Sequence, residues 1–402
     1  MGRSTGWELG VFMSRENIII SMDGHTEAFL DLKPWMPARL HPAFDAAMLE
    51  GRKTFAGANR YWADLVHAGA DFAFESANSL VQIDQEKYNQ VMTCGQRLAN
   101  IDADGVTAEM LIDGFGPLTN DPSLQHEITL AFIRWFKDYT SPAPHRYTAA
   151  VVVSLAADTD VVVQEIAAAH DNGIRCIHLP PAPWVARPNL PNYNHSRYEP
   201  IWRALDERGM AAIWHASVGR EKPQWRWNGT ERGWESLLML DIETLHHSVL
   251  KYLLLAGVPE RHPNMKFGYV ESGSDWIPPI LRHLDRYFAA PAANPAHKLT
   301  MKPSEQWARQ GFAAGPLDSR EIAQRHEVGV SNLLFGSDYI HTEGTYPHTR
   351  KHLAKILSGV PSAECWAIVA GNAARLFGFD LDKLARTTAA AKSWRTAESQ
   401  AA

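Results

Sequence analysis

Cysteine is scarce in this chain: Cys94, Cys176 and Cys365 are the only three among 402 residues. Their odd number and wide spacing exclude a disulfide framework and lead us to expect a reducing, cytoplasmic setting. No run of 18 apolar residues is present, so no transmembrane helix and no membrane partner are expected. Met1–Met13 lacks the apolar stretch of a signal peptide. A basic stripe is also missing. The 39 Lys and Arg and 45 Asp and Glu are mixed along the chain, with a formal net charge of −6, so nucleic acid is not an expected partner. No G-x-G-x-x-G follows the first apolar run, which argues against a dinucleotide-binding sheet.

What the chain does have is histidine and tryptophan, 18 and 14 residues respectively. The first points to metal or proton chemistry, the second to an apolar pocket or an interface. Apolar content of 45% and charged content of 21% are those of an ordinary globular protein with a large core. Eight apolar runs read as strands: Asn17–Asp23, Val106–Ile112, Tyr147–Leu155, Ile174–Leu179, Ala211–Ala216, Lys266–Glu271, Phe312–Ala314 and Asn332–Asp338. Helical periodicity falls between them, at Ala77–Asn100, Ser123–Tyr139, Asp158–His170, Tyr198–Arg208, Asp241–Ala256, Ser274–Phe288 and Ser319–Val328. Two more helices, His348–Leu357 and Ser362–Phe377, follow the last strand. This alternation predicts a single α/β domain over residues 1–385, a (β/α)8 barrel of the TIM type. An open doubly wound sheet is the alternative. A long irregular insertion over 24–75, Trp-rich loops after strands 4 and 5, an irregular connector at 289–310 and a disordered tail at 386–402 complete the expectation.

The active site of such a barrel lies at the C-terminal ends of its strands. Strand 1 ends in Ser21-Met-Asp-Gly-His-Thr-Glu, and alternate residues of an extended chain face one way. Asp23, His25 and Glu27 therefore form a carboxylate–imidazole–carboxylate set of the kind a divalent metal takes. Strand 4 ends in His178, strand 5 in His215, strand 6 in Glu271 and strand 8 in Asp338. Any one of these can be a satisfied core polar group. Five strand ends carrying metal-type ligands together point to a metal centre.

Asp23-x-His25, His215, Glu271-Ser-Gly with Trp276-Ile-Pro, Gly336-Ser-Asp338-Tyr with His341-x-x-Gly344, and Leu299-Thr-Met-Lys-Pro-Ser-Glu-x-Trp resemble the amidohydrolase superfamily, in its decarboxylase-like branch, over about residues 17–377. The resemblance implies a metal on Asp23, His25 and His215, with Asp338 as ligand or general base. The chain departs from the broad pattern in three places. Asp23 replaces the first His of the His-x-His pair, Glu271 replaces the strand-6 His, and His178 stands where binuclear hydrolases carry a bridging Lys.

Seven candidate ligands (Asp23, His25, Glu27, His178, His215, Glu271 and Asp338) exceed what one ion needs, and mixed carboxylate and imidazole donors suit iron and manganese. The chain thus looks like the few amidohydrolase-fold oxygenases that carry two iron ions, or iron and manganese. The expectation is an O2-using monooxygenase that hydroxylates an unactivated C–H bond of a small organic acid or acyl substrate. The alternative is a hydrolase or decarboxylase with one Zn or Mn, in which Asp338 takes a proton from metal-bound water and His178 is a hydrogen-bond donor outside the coordination sphere and not a ligand. In both readings Asp338, His341 and Glu271 are the catalytic candidates. A third reading is a catalytically silent barrel serving as a structural subunit. Association with a second copy or a related subunit is expected. Trp184, Trp225 and Trp227 are candidates for an apolar wall, or else anchor their loops. Of His246 and His247, one is expected to face the core. Cys176, two residues before His178, reads as core.

Overall fold

The computed structural model describes residues 17–26, 30–53, 92–113, 117–155, 157–215, 234–289, 299–341 and 344–387. Its eight strands are β1 (Ile20–His25), β2 (Ala108–Ile112), β3 (Tyr147–Val152), β4 (Cys176–His178), β5 (Ala211–His215), β6 (Lys266–Val270), β7 (Gly311–Gly315) and β8 (Leu333–Phe335). All seven neighbouring pairs are parallel, in the order β1 to β8. The ring closes where the chain after β8 returns to β1. Ser337 N donates to Ser21 Oγ at 2.8 Å, Asp338 N to Asp23 O at 2.7 Å, and His25 N to Tyr339 O at 2.5 Å. The expected (β/α)8 barrel is therefore the observed one.

Two apolar layers hold it. Alternate strand residues such as Leu111, Ala149, Ile177, Trp214, Phe267 and Leu333 pack outward against the helices. The others, Ile20, Met110, Ala150, Cys176, Ile213, Val270, Phe312 and Leu334 among them, fill the barrel. The lower end is sealed by Ala370, Ala373, Phe377 and Leu384, and Phe377 meets Phe312 edge-on at 5.4 Å.

Several boundaries differ from the sequence-based expectation. β8 stops at Phe335 rather than Asp338, because the residues beyond it leave the ladder for the mouth. The connector expected over 289–310 contains a helix, Pro303–Gln310. Its start signals are proline at the first position and the Glu305 carboxylate accepting from Lys302 N. In the described part of the first insertion, residues 41–53 are helical rather than irregular. The helix expected at Ala77–Asn100 is seen as Cys94–Asp104, entered through a Thr93–Gln96 capping box, and residues 77–91 lie outside the described ones. The last helix, Leu381–Thr387, runs into the expected tail, whose remainder, 388–402, lies outside the described residues. None of the three cysteines is in a disulfide, and all three are buried. Among the described residues no helix is long and apolar enough to cross a membrane.

Candidate metal centre

Strand 1 reaches the mouth out of phase with its own interior. Ile18, Ile20 and Met22 face the inside of the barrel, so strict alternation would turn Asp23 and His25 outward. The pairing with β2 slips by one residue between Ser21 and Gly24: Ile20 pairs with Ala108, but His25 pairs with Ile112. This β-bulge reverses the facing of the strand's last residues and brings Asp23 and His25 inside. Gly336 allows the close approach of the opposite side of the seam, since a β-carbon there would collide with that of Asp23.

Strands 6 and 8 turn their acids inward by another route. Glu271 comes directly after the inward-facing Val270 and has φ of 52°, and Asp338 has φ of 54°. Such left-handed conformations in non-glycine residues cost about 1–3 kcal/mol each and collect at functional sites.

The side chains meet in a buried cluster. His25 Nε2 stands 3.4 Å from Asp23 Oδ1 and 3.2 Å from Asp338 Oδ1. His215 Nε2 stands 3.6 Å from Asp23 Oδ1 and 3.0 Å from Glu271 Oε2. His341 Nδ1 stands 2.8 Å from Asp338 Oδ1, and its ring stacks on His25 at 3.9 Å. Two sets of ligand atoms lie within 4.8 Å of one another: Asp23, His25 and His215, and His25, Glu271, Asp338 and His341. Both Asp23 oxygens and the Nε2 atoms of His25 and His215 are buried without a hydrogen bond of good geometry. Buried polar atoms are rarely left so, and a cation satisfies all four at once. The donor set, imidazole and carboxylate, fits a divalent ion.

The protonation pattern reflects the packing. Burial and the neighbouring His341 push His25 down to about 4, which leaves its ring neutral and able to ligate at pH 7. Burial also works against a charged His215, but the Asp23 and Glu271 carboxylates beside its Nε2 outweigh it and lift the ring to about 9. Burial alone would raise Asp23, yet His215 and His25 hold its carboxyl well below the usual range. Glu271 is held up, first by burial and then by the charge of Asp338.

His178 is buried at the end of β4 with its ring 5.8 Å from that of His215, and it belongs to neither ligand set. Its place is beside the cluster. Glu27, Trp225 and Trp227 lie outside the described residues. Trp184 sits on the β4 loop, 38% exposed. Cys176 is core, as expected. His246 is the core-facing member of its pair. Its Nε2 lies 3.1 Å from the carbonyl of His215, and burial depresses its pKa to about 3, so the neutral ring donates there and steadies the strand end. Sequence reasoning missed Arg97 and Glu109 altogether. They form a buried ion pair with contacts of 2.6 and 2.8 Å behind β1, and neither lies at a strand end or in a motif.

Residues 57–379 match the family model described as Amidohydrolase. The match begins after β1, so Asp23 and His25 are placed by the structure alone. No curated protein matches the chain. Among solved structures, an amidohydrolase from Mycobacterium avium subsp. paratuberculosis K-10 is similar at TM-score 0.67 and 20% identity, over 90% of this chain and 99% of that one. The 5-carboxyvanillate decarboxylase of Sphingomonas paucimobilis gives 0.63 and 17%, again over 90% and 99%. A dihydroxybenzoic acid decarboxylase from Polaromonas, solved with bound manganese, gives 0.58 and 13%, over 90% and 96%.

Proposed function

The chain belongs to the amidohydrolase family, and from that footing we propose a metal-dependent decarboxylase of a small organic acid, with one divalent ion on Asp23, His25, His215 and Asp338. The observation that supports the metal is the gathering of Asp23, His25 and His215 within 4.8 Å, with their ligand atoms buried and otherwise unused. The two ligand sets share His25, and a single imidazole nitrogen offers one lone pair, which favours one ion over two. Manganese or zinc suits the donors, and manganese is the ion in a decarboxylase of the same fold. When bound, the ion supplies a Lewis acid that orients a carboxylate or acidifies a water.

The remaining work belongs to side chains. Loss of CO2 leaves an electron pair on carbon that must take a proton. Asp338 is buried and lies 2.8 Å from His341 Nδ1. That pair can hold a proton at the mouth and pass it between ring and carboxylate. Glu271, with Oε2 3.0 Å from His215 Nε2, is the second carboxyl facing the reacting space. Hydrolysis would use the same groups on a water and is the second reading. The names of the similar solved structures, carboxylate decarboxylases, favour decarboxylation. The oxygenase expected from the ligand count leaned on His178 as a ligand to a second ion, and His178 stands outside both sets.

The test is metal analysis together with CO2 release. The purified chain should hold about one manganese or zinc. It should release CO2 from members of a panel of aromatic acids that includes 5-carboxyvanillate and 2,6-dihydroxybenzoate, and chelation should abolish that release. Two irons per chain with substrate-dependent O2 uptake would restore the oxygenase instead.

A further inference from the structure

The barrel seam is where the ligands of β1 and β8 must stay in register, and one buried side chain spans it. Arg97, on the helix Cys94–Asp104, is almost wholly buried and grips the Glu109 carboxylate through Nε at 2.6 Å and Nη2 at 2.8 Å. The rest of its fork is spent on the seam. Nη1 donates to the carbonyl of His25 at 2.7 Å, and Nη2 reaches the carbonyl of Tyr339 at 3.4 Å. These two carbonyls belong to residues that carry, or adjoin, ligands on opposite sides of the joint. The guanidinium also lies over the Tyr339 ring at 4.9 Å, and Asn100, one turn further along the helix, donates to the Tyr339 hydroxyl at 2.8 Å. Gly24, between the two β1 ligands, makes room for this arrangement: a β-carbon there would stand 2.7 Å from Glu109 Oε2.

We propose that Arg97, with its charge balanced by Glu109, is a positioning residue that locks the β1 and β8 ligands together from behind and so sets metal affinity. The inference rests on the reading of the cluster as a metal site. A planar fork that holds a carboxylate and two carbonyls at once is a property of arginine and not of lysine. Groups that orient ligands from outside the coordination sphere typically set affinity by about 10–100-fold.

The test separates positioning from simple support of the fold. Metal-free wild type, Arg97→Lys and the double variant Arg97→Met with Glu109→Met are titrated with Mn2+ and Zn2+ against a competing chelator, and melting temperature is measured in parallel. The double variant replaces a buried ion pair by apolar bulk, an exchange that is often neutral or stabilising. We expect it to melt near the wild type yet bind metal at least 10-fold more weakly. Arg97→Lys, which keeps the charge beside Glu109, should show the same loss of affinity. A folded double or Lys variant with wild-type affinity overturns the proposal. If the double variant does not fold, the Lys variant decides alone. Failure of the wild type itself to bind either metal would overturn the metal site and the clamp with it, whereas a wild type that binds beside folded variants of equal affinity overturns the clamp alone, so the two failures are distinguishable.

Discussion

At the lower end of the barrel, Ile18, Ile20, Ala211 and Phe312 meet Ala370, Ala373, Phe377 and Leu384, an all-apolar contact. At the upper end β1 and β5 end in Asp23, His25 and His215, which are just as buried and have no hydrogen bond of good geometry to satisfy their ligand atoms. The difference separates two tasks. The lower end is closed by shape and apolar area and contributes stability. The upper end holds polar atoms out of water in a geometry that makes sense once a cation joins them. A change at one end should therefore leave the property of the other nearly untouched.

The largest effect expected from breaking that contrast lies at the lower end. Phe312→Ala removes a fully buried ring from between the barrel wall and Phe377, and should destabilise by about 3–5 kcal/mol in urea unfolding. The molecules that remain folded should keep their full metal stoichiometry. A loss of metal from them would show that the two ends are coupled. Next comes the mirror experiment. His215→Ala should lower metal affinity by at least about 100-fold, or about 2.8 kcal/mol, read by chelator competition. The metal-free protein should melt within a few degrees of wild type.

The contrast is sharpened by titrating metal into both proteins. Saturating the wild type at about 100 times its dissociation constant should add about 2.7 kcal/mol to its stability, and the same metal concentration should add no more than about 0.4 kcal/mol to the His215 variant.

The smallest effect concerns a buried acid away from both ends. Asp104 accepts from Thr349 N at 2.9 Å and Thr349 Oγ1 at 2.5 Å, and burial still lifts its carboxyl to about 6. The folded state thus binds this proton more tightly than the unfolded state does. The group's stabilising contribution is fully present below about pH 4 and is lost as pH rises through about 6. Asp104→Asn should flatten that portion of the stability–pH curve by about 2 kcal/mol, measured as the difference between the two proteins from pH 4 to 7.5. An unchanged slope would place the charge of Asp104 in water.

Much of this was readable from the chain. The alternation of apolar runs with helical periodicity predicted the barrel. The strand ends predicted Asp23, His25, His215, Glu271 and Asp338, all five of which the fold brings to one cluster. His178 shows the limit: it ends its strand just as His215 does and lies with its ring 5.8 Å from that of His215, outside both ligand sets, and strand position alone did not separate a ligand from a donor next to one. Arg97 and Glu109 were not readable at all. A helix residue and a strand-middle residue twelve positions apart carry no motif, and their meeting depends on how the helix Cys94–Asp104 packs across β1 and β2.

By itself the sequence determined the class of fold and the chemistry available at the mouth, because period-2 and period-3.6 patterns and donor atoms are local properties. It did not determine which way those donors face. Alternation counted from Ile18 and Ile20 sends Asp23 and His25 outward, and counted from Val270 it sends Glu271 outward as well. One extra residue in β1 and left-handed turns at Glu271 and Asp338 reverse this. Only the tertiary structure decides such features, because a bulge is a mismatch between two strands, and a strained φ persists only where the surrounding packing and a closed seam hold it.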